Sequence, residues 1–204
     1  MALHAAARAG DLDELARLAG AAGADLEAPD KLRRTALHLA AHADRPESVG
    51  ALHALGANLA ACAQDGYTAL HFAATAGAAA AARKLAALGA DVDAALLKNG
   101  RTPLMLAAAK GHADVVRALL DAGASTAKQT RAGESCFDLA AASVGALLER
   151  HLEDAVRGGA AARESGASAL VAADEGARET EDPPAKRRKA DGPISVPAED
   201  EDDG

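Results

Sequence analysis

The sequence predicts an all-α fold: an α-solenoid of helix–turn–helix pairs, followed by a disordered C-terminal tail. Three observations point there. A short segment recurs as MALHAAA from Met1, TALHLAA from Thr35, TALHFAA from Thr68, TPLMLAA from Thr102 and SCFDLAA from Ser135, at steps of 34, 33, 34 and 33 residues. A second marker keeps the same phase: AGAD at 22–25, LGAN at 55–58, LGAD at 88–91 and AGAS at 122–125. A period this long marks a supersecondary repeat. Finally, half the chain is hydrophobic, but alanine supplies much of it, and Phe72, Phe137 and Tyr67 are the only large aromatics. Such a chain is short of side chains for a conventional core. Alanine favours helix and lets helices approach closely.

Each element of the unit follows from its residues. Thr35, Thr68 and Thr102 can cap a first helix. Pro103 then takes the first helical position, where a missing N–H costs nothing. The L-x-x-A-A spacing gives that helix a small-residue face. Gly10, Gly77 and Gly111 break it and turn the chain. A second helix follows, with Val115, Val116, Leu119 and Leu120 at helical spacing. Gly23, Gly56, Gly89 and Gly123 end the second helices in a left-handed cap. Asp65-Gly66 and Asn99-Gly100 make tight turns before the next unit. The second unit departs at HADRPES: Asp44 stands where the other units have the turn glycine, Arg45 stands where His112 does, and Pro46 suits a helix start. Arg33 likewise replaces a loop glycine. The third unit's second helix, AAAAARKLAAL, has few large apolar groups, so the weakest packing is expected there.

At TPLMLAAAKGHADVVRALLDAGAST, residues 102–126, the chain resembles the ankyrin repeat family, with Met105 in place of the usual His. TALHFAA at 68–74 matches the family's opening motif. The resemblance covers about residues 1–156, with units starting near 1, 35, 68, 102 and 135. It implies an ankyrin-repeat α-solenoid with β-hairpin-like loops projecting at roughly ninety degrees from the helix pairs and a concave face made of loops and first helices. The first unit lacks its own hairpin and the fifth lacks the Gly-His turn, so both read as caps. A cap needs a polar outer face, which Glu149, Arg150, Glu153 and Asp154 supply.

Net charge is −8. An acidic balance counts against general nucleic-acid binding, which requires clustered Lys and Arg. Cys62 and Cys136 lack CxxC spacing and suit a reducing compartment. No apolar run reaches the roughly 18 residues of a membrane span, and the acids Asp11, Asp13 and Glu14 count against a transit peptide. A soluble intracellular protein is expected, without a membrane partner.

No HExxH, GxSxG, P-loop or GxGxxG motif is present. His4, His38 and His71 share the fourth position of the motif, and the resemblance gives that His hydrogen bonds within and between repeats. His112 is the turn residue, while His53 and His151 have no partner ligands nearby in sequence. Asp11, Asp13 and Glu14 suit a helix N-terminus. No enzyme activity, catalytic residue, metal or cofactor is expected.

The residues the repeat leaves free are the loop tips DKLRR (30–34), AQDGY (63–67), LKNGR (97–101) and TRAGE (130–134), with Arg8, His42, Thr75 and Lys110 exposed on first helices. The expected protein-binding set is Lys31, Arg33, Arg34, His42, Asp65, Tyr67, Lys98, Asn99, Arg101, Lys110 and Arg131. It is locally basic, suited to an acidic or phosphorylated segment, with Tyr67 standing at a loop tip. Tyr and Arg are favoured interface anchors.

After about Val156 the periodicity stops. Residues 157–204 are rich in Gly, Ala, Pro and charge, so a disordered tail is expected. Within it Lys186, Arg187, Arg188 and Lys189 resemble a nuclear localisation signal read by an import receptor. The leading expectation is a monomeric adaptor in the nucleus, shuttling with the cytoplasm. The alternatives are a nucleic-acid-associated regulator, disfavoured by the missing stacking aromatics, and an assembly-factor subunit of a larger enzyme complex.

Overall fold

The structure is a computed structural model; it describes residues 2–21 and 24–166, with side chains as far as Asp154. Met1, the helix end expected at Gly23, and the tail from residue 167 with its basic cluster at 186–189 lie outside the described residues.

Thr35, Thr68 and Thr102 sit in extended conformation immediately before the first helices of their units. The first helices are α1 (Ala2–Ala9), α3 (Ala36–His42), α5 (Ala69–Ala76) and α7 (Pro103–Lys110). Each pairs with a second helix: α2 (Leu12–Ala19), α4 (Pro46–Ala54), α6 (Ala79–Ala87) and α8 (Ala113–Asp121). A ninth helix, α9 (Ala142–Gly166), follows. The first helices pack in series, α1 on α3 on α5 on α7, and the second helices form a parallel series, α2 to α8. Between the two layers lies one core in which Ala7, Ala40, Ala41, Ala73, Ala74, Ala107 and Ala108 are fully buried. Alanine at these positions lets the inner helices approach, while Leu15, Leu52, Leu85 and Leu119 fill the space beneath.

The glycines act as expected. Gly10, Gly77 and Gly111 turn the chain in the left-handed region, and Gly56, Gly89 and Gly123 end the second helices there. The last residue of the second marker also has a local purpose: Asp25, Asn58, Asp91 and Ser125 each accept the backbone N–H two residues on, at 2.9–3.3 Å. Asp11 caps α2 by accepting from the Glu14 N–H, and Glu14 pairs with Arg17 at 2.7 Å.

At HADRPES the structure shows a compensated exchange. Arg45 lies over Gly10 and His112 over Gly77, so close that a Cβ on either glycine would come within about 3.0 Å of the overlying side chain. In both places a long nitrogen-bearing side chain reaches back to a helix-end carbonyl, Arg45 Nε to Arg8 O and His112 Nε2 to Thr75 O, each 3.4 Å. Asp44 inverts the pattern. It carries the side chain, in a left-handed backbone (φ 52°), and the next unit has the small Ala78 in the position of Arg45 and His112. The Asp44 carboxylate accepts from the Ala81 N–H at 2.8 Å. Helix α6 follows Ala78, which offers no capping side chain, so its cap comes from the preceding repeat.

Two features differ from the repeat pattern. The fifth unit's first helix is reduced to turns over 136–139. Asp138, in the usual His position, is held by the Ser135 N–H and hydroxyl at 2.8 and 2.6 Å, and the chain then crosses so that the Ala141 N–H meets Ala108 O at 2.9 Å. Its second helix is α9, which continues to Gly166, beyond the expected boundary near Val156.

Candidate partner-binding face

The loops are ordered by two sets of backbone bonds. Within each, the chain closes on itself: Asp30 N to Arg34 O, Ala63 N to Tyr67 O, Leu96 N to Arg101 O and Thr130 N to Glu134 O, all 2.8–2.9 Å. Between loops, Gln64 N bonds Leu32 O, Leu97 N bonds Asp65 O and Arg131 N bonds Asn99 O. The tips therefore form one linked row. Lys98 is the extra residue of the third loop, which accounts for the 34-residue step there.

The inner-helix histidines fasten this row to the helices. His38 Nδ1 accepts from the Thr35 N–H and pairs with its hydroxyl at 3.0 and 2.9 Å, while Nε2 donates to Ala61 O and Tyr67 O at 3.0 and 3.1 Å. His71 repeats the arrangement with Thr68 and Arg101 O. His4 Nε2 reaches Arg34 O. Two carbonyl acceptors fix the tautomer with the proton on Nε2. Burial pushes both His38 and His71 below the ordinary histidine range, His71 to about 4, against the opposing pull of the carbonyls they donate to. They are neutral structural bridges between helix and loop. Met105 cannot make this bridge, and it precedes the unit whose first helix is lost.

The predicted contact residues divide into three groups. Lys31, Arg33, Lys98, Lys110 and Arg131 are exposed and make no ion pair among the described residues. Arg34 and Arg101 are engaged. Arg34 pairs with Asp30 at 2.7 Å, and Arg101 lies 3.9 Å from Glu134. Asp30 also accepts from the N–H groups of Leu32 and Arg34. Burial raises its carboxyl, but the Arg34 guanidinium and these N–H groups outweigh that and hold it at about 2. Asn99 folds its own loop by accepting from the Arg101 N–H. Tyr67 stands at the foot of its loop, not the tip. It is half-buried against Phe72 (ring centroids 5.6 Å) and His71 (5.8 Å), because it directly precedes the Thr68 cap. Exposed His42 lies edge-on to Phe72 at 6.4 Å, and exposed Asp65 holds a left-handed tip (φ 59°).

Phe72 and Leu32 complete this surface and were absent from the predicted set. With Arg34, Asp65 and Tyr67 they line a cleft of about 250 Å³ between the loops at 30–34 and 63–67. The signal for Phe72 was present in the repeat itself: it replaces Leu39 and Leu106 of the other motifs. Leu32 is half exposed at a polar tip, and an isolated surface leucine carries no signal in the sequence.

Among the described residues no group of His, Cys, Asp or Glu is arranged to hold a metal, and no helix is long and apolar enough to cross a membrane. Comparison with curated proteins returns no match. The family description "Ankyrin repeats" matches three overlapping stretches, residues 3–95, 47–130 and 89–158. Ankyrin repeats are in general protein–protein interaction modules and typically not enzymes. Stacked helix pairs, histidine bridges to the next loop and a matched span covering most of the chain agree: this chain belongs to the ankyrin repeat family.

Proposed function

We propose that the chain is a non-enzymatic adaptor or regulator that binds a protein through its loops and inner helices, and that it does so in the nucleus. The observation that carries the reading is the row of exposed cations, Lys31, Arg33, Lys98 and Arg131, on loops linked edge to edge in a protein of net charge −8. A local basic row on an acidic protein selects an acidic or phosphorylated segment by electrostatic complementarity. Lys186, Arg187, Arg188 and Lys189 support import, and replacing them with alanine in a fluorescent fusion should leave the protein in the cytoplasm; unchanged nuclear accumulation contradicts this.

Reversing Lys31, Arg33, Lys98 and Arg131 to Glu leaves the Arg34–Asp30 pair intact. Affinity purification of this variant should lose the partners that wild type captures. An unchanged partner set overturns the reading. The same cations favour a second reading, contact with phosphates of a nucleic acid, which a salt-dependent shift of bare DNA or RNA would support.

A further inference from the structure

We infer that the cleft between the loops at 30–34 and 63–67 is an anchor site for one leucine- or phenylalanine-sized side chain of an extended acidic protein segment. The inference rests on the reading that this face binds a protein, and it names the chemistry of what is bound.

The cleft is lined by Phe72, by Tyr67 with its ring tilted against Phe72 at 50°, and by Leu32. Two of the chain's three Phe and Tyr residues therefore meet at one point of the surface. The rings contact each other, so they offer a joint apolar surface without the open space between rings that a cation needs. The volume of about 250 Å³ falls below the roughly 300–1,000 Å³ of small-molecule pockets. It suits one side chain of a longer ligand. The polar groups at the rim are partly satisfied: Arg34 is neutralised by Asp30.

The surrounding charge selects the flanks. Lys31 and Arg33 stand exposed on the loop that carries Leu32, without ion pairs among the described residues, and Asp65 stands exposed on the opposite loop. An acidic residue is attracted on the Lys31 and Arg33 side and repelled on the Asp65 side. The segment therefore carries its acidic residues on one side of the anchor, towards the loop at 30–34. The linked tips continue this row to Lys98 and Arg131, which adds long-range attraction.

The test uses the full chain and short fluorescein-labelled peptides that carry Asp and Glu on one side of a single Leu, Phe or Ala and neutral residues on the other, titrated by fluorescence anisotropy. The Leu and Phe peptides should bind about ten-fold or more tightly than the Ala peptide, the effect of burying one such side chain. Leu32→Asp, at a half-exposed position that leaves the fold intact, should abolish that discrimination. Lys31→Glu with Arg33→Glu should weaken all three peptides. Equal affinity for Leu, Phe and Ala peptides, still sensitive to the charge reversal, overturns the anchor while the binding face stands. Binding indifferent to the charge reversal, or no binding of any peptide, overturns the site, and the indifferent case also removes the face as the point of contact.

Discussion

Arg33 holds a left-handed backbone (φ 60°) where the later loops have Gly66, Gly100 and Gly133. That conformation costs an ordinary residue of the order of 1 kcal/mol, so the arginine stands there against a local preference. Arg33→Gly should stabilise the protein by about 0.5–1 kcal/mol in urea unfolding and weaken capture of acidic partners; a loss of stability would show that the side chain has a structural role. Asp44 (φ 52°) pays the same conformational cost differently, because its carboxylate caps α6. Asp44→Ala should cost about 1 kcal/mol, and Asp44→Asn, which keeps the acceptor and tolerates the backbone, should recover most of it. Equal stability of all three proteins would contradict the capping role.

Helices α6 and α8 occupy equivalent places but bury different amounts of apolar surface. Helix α8 buries Val115, Val116, Leu119 and Leu120; α6 buries Leu85 with Ala81 and Ala82. Amide exchange should be faster in α6 than in α8; slower exchange in α6 would mean that the Asp44 cap and close alanine packing outweigh the missing side chains. The histidine bridges between helices and loops carry a pH dependence. His38 and His71 have depressed values in the folded state, so the unfolded chain binds protons first as pH falls. Their stabilisation is complete above about 6.5 and is lost as pH drops towards 4, where His71 titrates. Replacing His71 with Met, the residue its equivalent Met105 already supplies, should lower stability at neutral pH by about 1–3 kcal/mol and flatten this slope. An unaltered slope would assign the acid sensitivity to other groups. Asp30 contributes separately, with stability that fades only from about pH 4 down to about 2.

At the scale of the molecule, the stacked helices were legible because each framework position is repeated: a threonine cap, a histidine and two alanines recur in phase, and copies check one another. What repeats least was least legible. Nothing in DKLRR says that Arg34 turns back onto Asp30, because a salt bridge within a loop depends on the backbone bonds that close it. Tyr67 belongs to the loop string AQDGY, which places it at a tip, yet it adjoins the cap and packs on Phe72. The exchange of Asp44 with Ala78 was half visible: the missing glycine showed in the sequence, whereas its matching small residue lies in the next unit and acquires meaning only when the units are stacked. The central claim is that partners bind the linked loops and inner helices. Hydrogen–deuterium exchange of the protein with a captured partner bound tests it most directly. The account predicts added protection at 30–34, 63–67 and 97–101, with α4, α6 and α8 unchanged; protection confined to those outer helices would contradict it.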